Sequence, residues 1–264
     1  MSRIALLLAL ALTAGGCADT FAPRVAGGRA FAVFGTLDGR TARQTLRVQD
    51  LASAVLETPD RLAATVTSTE LTTGRTTRWR DSVVTLADGM RAHLFVADLA
   101  VASGETHRID LVRDDDGERT TVTIELPSPT VVSATSPPNS SAAVLSVANL
   151  GGRLMGPVVR YRVQQSNGAS AVSFTSPASL QDTGAGLTFV TFLDIAEAQA
   201  TQLLFGSGMG DPVLVDARLE GIAVSEAPVP ASGGVGGVGW AVPVSAPIPF
   251  MAATLLRVGF VDGR

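Results

Sequence analysis

From Ala30 onward the chain places apolar residues at every second position, and this period constrains the fold more than any other feature. In "AFAVFGTL" Phe31, Val33 and Leu37 share one face, and in "RQTLRVQ" Leu46 and Val48 do the same. Successive side chains of a strand point to opposite sides, so this spacing buries one face of a sheet and wets the other. Asp38-Gly39 between the two runs is a strong hairpin signal. Five further alternating runs follow, at 62–71, 75–83, 91–99, 105–113 and 119–126, punctuated by Gly74, Asp88-Gly89, Gly104 and Asp116-Gly117. Seven short strands in residues 30–127, with no helical period between them, predict an antiparallel β-sandwich of the immunoglobulin or fibronectin kind. Ser103 to His107 opens a strand much as a tyrosine corner does, with His107 standing where Tyr is expected.

Pro127 to Ser141 contains four prolines and reads as a boundary, so residues 128–141 are expected to be a linker. Residues 142–264 read as a second mostly-β region with one or two short helices. Strands are expected at 157–165, 169–177, 186–195 and 211–224. The best helix is 194–206, with Asp194 placed to cap it, Glu197 three residues later and Gly206 to close it. Residues 227–250, "APVPASGGVGGVGWAVPVSAPIPF", read as a long Gly/Pro-rich loop, a kind of segment that compact domains seldom carry unless it is functional or disordered.

The N-terminus carries a different signal. Arg3 precedes an apolar run from Ile4 to Leu12, and small residues then lead directly into Cys17, the one cysteine of 264 residues. The run is too short to span a bilayer as a helix and has the layout of a secretory signal. The approach to Cys17 looks like a bacterial lipobox, with Ala14 where Leu is usual. Residues 1–16 are therefore expected to be a lipoprotein signal peptide, Cys17 the lipid attachment site and residues 17–29 a tether. Each buried methylene of an acyl chain adds about 0.8 kcal/mol to membrane anchoring. An ordinary secreted chain with an incidental Cys17 is the alternative.

Composition removes several classes of chemistry. The chain has no lysine, which excludes a P-loop lysine, a Schiff-base lysine and a Ser-Lys dyad. After loss of residues 1–16 it would carry 19 Arg against 24 acidic residues, with no basic cluster, which argues against nucleic-acid binding. Gly234 to Gly239 spells G-x-G-x-x-G, but a dinucleotide fingerprint must open a helix, and Pro228, Pro230, Pro243, Pro247 and Pro249 flank this one. Gly234, Gly236, Gly237, Gly239 and Trp240 are instead expected to form an interaction loop, with Trp240 either folded back onto a domain or standing ready for a partner. "DDDG" at 114–117 has calcium-like carboxylates without EF-hand spacing, and its place between two strands predicts a hairpin turn. His93 and His107 lie on neighbouring expected strands and could face each other, but no third ligand stands at a fixed spacing. There is no G-x-S-x-G elbow. No catalytic residue, metal site or cofactor is assigned.

Taken in order, the lipobox, "AFAVFGTLDGRTARQTLRVQ", "GETHRIDLVRDDDGERTTVTIELPSP", "GVGW" and the closing "LLRVGFVDGR" resemble the domain-of-unknown-function lipoproteins of Bacteroidota and related phyla. Their typical elements are an early strand-turn-strand and an Ig-like region. His107 departs from that pattern, which has an aromatic there. Members are often encoded beside TonB-dependent receptors, so the resemblance implies an envelope role, with an outer-membrane transporter as candidate partner. The expected function is that of a non-enzymatic binding or accessory lipoprotein, anchored through its N-terminal lipid at the outer membrane. The alternative is an envelope hydrolase whose site assembles only in three dimensions. Mass spectrometry of the mature protein should find residues 1–16 absent and acyl chains on Cys17, and Cys17→Ser should release it from membranes. A soluble wild-type protein with an unmodified Cys17 would overturn the anchor.

Overall fold

The computed structural model describes residues 29–51, 61–87, 89, 91–168, 171–182, 187–206 and 210–263; Cys17 and the signal-like segment lie outside the described residues. Eight strands follow one another from Phe31 to Glu125: β1 (Phe31–Asp38), β2 (Arg43–Asp50), β3 (Ala64–Glu70), β4 (Thr76–Arg78), β5 (Arg80–Thr85), β6 (Arg91–Asp98), β7 (Thr106–Arg113) and β8 (Arg119–Glu125). They form two antiparallel layers, β1-β2-β6-β5 and β4-β3-β7-β8. In immunoglobulin lettering these are A-B-E-D and C′-C-F-G, so the connectivity itself is Ig-like. Val33, Leu46, Val48 and Phe95 of one layer and Val66, Ile109, Leu111, Val122 and Ile124 of the other are almost wholly buried in one apolar cluster. The period-two phase read from sequence is the phase that is buried.

Two local readings change. Residues 75–83 are not one strand: β4 pairs with β3 and β5 with β6, and Trp79 marks the crossing between layers. Its backbone N–H donates to the Val66 carbonyl and its ring is buried. The Asp38-Gly39 hairpin is wider than a two-residue turn, because the buried Gln44 side chain replaces backbone pairing there. Gln44 Oε1 accepts the Asp38 N–H at 2.8 Å, and Gln44 Nε2 donates to the carbonyls of Asp38, Thr41 and Leu99.

The second half repeats the plan. Its elements are β9 (Val131–Thr135), β10 (Ala142–Ala148), β11 (Arg153–Gln164), β12 (Ala171–Pro177), β13 (Ser179–Asp182), β14 (Leu187–Phe192), helix α1 (Leu193–Phe205), β15 (Val213–Val224), β16 (Val229–Pro230), β17 (Gly234–Pro247), helix α2 (Ala252–Arg257) and β18 (Val261–Asp262). One layer is β9-β10-β14-β13 and the other β12-β11-β15-β17, again A-B-E-D against C′-C-F-G. Tyr161 on β11 crosses the core to Thr191 on β14, oxygen to oxygen at 2.9 Å, and burial pushes its phenol up to about 12. A one-residue bulge on β15 at Val215 explains why inward burial shifts from Ala217 to Leu214. The segment expected to be a linker contains β9, which pairs with β10 through Val131–Thr135. Helix α1 ends at Gly206, whose φ is +62°, but Asp194 lies in its first turn and does not cap it. Strand β14 runs straight into the helix, and the Leu193 N–H donates to the Ser141 carbonyl.

The largest correction concerns residues 227–250, which are not a loop. β16 and β17 occupy them, and the 14-residue β17 joins the two sandwiches. Gly234–Ala241 pair in parallel with β1, and Ala241–Pro247 pair antiparallel with β15. The order β12-β11-β15-β17-β1-β2-β6-β5 is therefore one continuous sheet. The prolines are tolerated because Pro243 and Pro247 lie in the second half of β17, past its pairing with β1, and Pro249 lies beyond the strand. The glycines are required by close approach: a Cβ on Gly237 would lie 2.3 Å from the Val229 carbonyl oxygen and one on Gly234 2.6 Å from that of Phe31. Gly236 combines a φ of +80° with a Cβ position 2.4 Å from the Val33 carbonyl oxygen. Gly236→Ala should therefore cost more than the roughly 1–3 kcal/mol of backbone strain alone. Gly74→Ala, at a φ of +72° in open space, supplies the strain-only reference. Chemical denaturation that finds equal losses at the two positions would refute the close approach.

Candidate functional site

The two histidines do not meet. His93 lies on β6 in the long sheet and His107 on β7 in the opposite layer. His93 Nδ1 sits 2.9 Å from Asp81, whose carboxylate also accepts the Leu62 N–H at 2.8 Å. A carboxylate only accepts, so Nδ1 donates to Asp81, and Nε2 is buried without a partner among the described residues. His107 is fully buried, and its Nε2 donates to Glu105 Oε2 at 2.9 Å. The same oxygen accepts the Ala102 N–H at 2.9 Å. The tyrosine-corner contact, a hydroxyl reaching back to upstream backbone, is thus reproduced by an imidazole relayed through a carboxylate. Both rings are packed and held by one acidic residue each, an arrangement that orients them but presents neither to a substrate.

Asp114–Gly117 form the turn between β7 and β8, closed by the Gly117 N–H on the Arg113 carbonyl. Asp116 of this turn, Glu118 just beyond it and Asp50 converge on the nearly buried Arg113 guanidinium, which donates to Asp116 and Glu118 at 3.0 Å, to Asp50 at 2.9 Å and to the Ala30 carbonyl at 3.1 Å. The guanidinium also lies 5.5 Å from the centroid of the Phe31 ring. Burial alone would lower its pKa, but the bonds from Asp116 and the charges of Asp50 and Glu118 raise it on balance. Asp116 is held below the usual carboxylate range, first by the Glu118 N–H and further by Arg113. The cluster ties the entry of β1 to the β7–β8 hairpin and is a structural clasp. No group of three or more His, Cys, Asp or Glu able to hold a metal occurs among the described residues.

Of the residues expected to form an interaction loop, all five are in β17. Gly234, Gly236, Gly237 and Gly239 lie along its pairing with β1, and Trp240 opposite Leu37. Trp240 is 6% exposed, with its ring over the Gly151-Gly152 turn, and its backbone N–H donates to Ser225 Oγ at 3.2 Å. It folds back. Two open recesses occur among the described residues, both on residues not assigned to a site from sequence: one of about 520 Å³ over Met155, Val158, Ile222 and Pro243, and a more enclosed one at β9. A groove of about 350 Å³ runs between β9 and the ends of β15 and β17, lined by Thr130, Val131, Val132, Ala217, Ile248 and the two prolines Pro247 and Pro249, with Asp216 at its edge. Val132, Ala217 and Ile248 form a buried floor, while Val131 is 56% exposed on the lip. Its lining is mainly aliphatic, suited to holding apolar groups rather than to proton transfer. The groove was illegible from sequence because its walls come from three stretches about 30 to 120 residues apart, brought together only by the sandwich. Glu105→Ala should strand the His107 imidazole and the Ala102 N–H together and cost about 1–3 kcal/mol in thermal or chemical unfolding. A neutral result would deny the corner its role.

No family model and no curated protein matches the chain. Among solved structures it is similar to the crystal structure of bovine butyrophilin, with a TM-score of 0.20 and 13% identity over 83% of this chain and 99% of that one. The Ig-like description rests on the strand order of the two sandwiches.

Proposed function

We propose that the chain is a lipid-anchored protein of the bacterial envelope that binds a partner rather than turning over a substrate. The observation that carries this reading is the pairing of an open aliphatic groove with buried, individually clamped histidines. The lipobox-like approach to Cys17 supports the anchor, and the resemblance to envelope lipoproteins supports an outer-membrane transporter as the partner. The orientation of β17 fits this arrangement. The tether enters at the start of β1, where Arg113 grips Ala30. β17 leaves that end parallel to β1 and runs on to Pro247 at the groove. Fourteen extended residues span about 45 Å, so the groove is held away from the tether's entry.

The purified full chain, offered ester, peptide, glycoside and phosphoester substrates, should turn over none of them. Affinity purification from detergent-solubilised envelope should recover a stoichiometric outer-membrane partner. Turnover that is lost in His93→Gln or His107→Gln would replace the binding reading with a hydrolytic one.

A further inference from the structure

Each sandwich has two layers, and three of the four outward layer faces carry charge. Arg47 and Asp98 lie on the outer side of β1-β2-β6-β5, Arg108 and Glu125 on that of β4-β3-β7-β8, and Arg160 and Arg218 on that of β12-β11-β15-β17. The fourth face, on β9-β10-β14-β13, has none. Residues 126–152 hold no charged residue in a chain that is 17% charged, and these four strands hold one, Asp182 at the end of β13. Asp182 follows Gln181, the last outward position of its strand, so the alternation leaves it off this face. With Val132, Ala143, Leu145 and Phe189 buried in the core, the outward rows are built of Val, Ser and Thr. Val144 pairs with Thr135 and Val190, and Ser146 with Ser133 and Thr188. Val131 and Phe192, 56% and 47% exposed, stand at opposite ends of the face.

We propose that this charge-free face is where two copies of the chain meet, sheet on sheet about a two-fold axis. A two-fold interface presents the same patch from both sides, so every charge in it meets an identical set of charges. Arg160 and Arg218, paired on β11 and β15, would confront their own copies, whereas Val, Ser and Thr confront theirs without repulsion. A different protein is steered and selected by complementary charge, and this face has none to offer it. It also lacks what other occupants need. No Arg lies on it to hold an anionic lipid surface, and its one aromatic, Phe192, stands at an end rather than forming a platform for a sugar. Short side chains suit close apposition, because packed sheets lie about 10 Å apart. Size sets the strength of the contact. Four strands of four to seven residues, about 4.8 Å apart and rising about 3.4 Å per residue, give a face of about 350–400 Å². That is roughly half of the 800 Å² per partner of a stable interface, so the dimer is weak in solution and gains from copies being held on one membrane. The dimer is independent of the groove, and its test is separate from the substrate assays.

The experiment is sedimentation equilibrium of the full chain in density-matched detergent from about 1 to 500 μM, a range that brackets a dissociation constant in the tens of micromolar. The mass should rise from monomer to dimer and no further. Ser146→Arg, at an exposed position in the middle of the face, should raise the dissociation constant by about tenfold or more without shifting thermal unfolding. An equimolar mixture of Ser146→Arg and Ser146→Glu chains should associate more strongly than either alone, because opposite charges then face each other across the axis. Arg47→Glu, on a charged face, should leave the dimer unchanged. Three results would overturn the proposal. One is a monomer at every concentration. Another is a dimer that Ser146→Arg leaves intact, which puts the contact on a different face. The third is a mixture of the Arg and Glu chains that associates no better than its components, which removes the two-fold apposition.

Discussion

Everything in this molecule depends on one extended segment serving two sheets. The first half of β17 completes the sheet of the first sandwich through β1, and the second half completes that of the second through β15. Two sandwiches joined only by a peptide linker would be free to move relative to one another, the default for domains with modest interfaces. Here the connection is a run of backbone hydrogen bonds within a continuous sheet, which resists bending along the strand. Position along β17 then fixes what the ends of the molecule present. The Arg113 clasp lies at one end, and the prolines and aliphatic floor of the groove at the other.

The composition of β17 follows from this double role. Sheets tolerate glycine poorly, because it loses the most entropy and contributes no side chain to pack. β17 keeps four glycines because it is wedged between β1 on one side and β16 and β8 on the other. There a Cβ would collide with backbone, and the cost of glycine is smaller than that of displacing two strands. Past Gly239 the neighbours recede, and the sequence turns to Trp240, Val242 and Val244, which are buried as ordinary strand residues.

That reversal explains which parts of the fold could be read from sequence. Ile109, Leu111, Val122 and Ile124 announce their burial because each strand meets its core on one face only, so the alternation is clean. β17 meets backbone on both edges and lacks alternation where it is most constrained, so its glycines and prolines imitate a loop. β9 is hidden for a related reason. Five residues beside a proline-rich stretch are too few to establish a period, and only its partner β10 identifies it. The histidines divide similarly. Glu105, two residues from His107 on the same strand face, is visible as a partner in the sequence, whereas Asp81 reaches His93 from another strand. The groove has no local signature at all, being a gap between strands distant in the chain.

The parallel pairing of β1 with β17 also governs how the protein can be made. Phe31 waits for Gly234, a partner about 200 residues further along the chain, before its edge is covered. A chain emerging N-terminus first from a ribosome or a translocation pore thus exposes the β1 edge for most of its passage, with Phe31 and Val33 beside it. Premature termination anywhere before residue 234 would leave that edge open for good and turn the first sandwich into a template for aggregation. Completion of the last long strand is therefore a checkpoint on the whole product, one that couples the integrity of the C-terminus to the solubility of the N-terminal half.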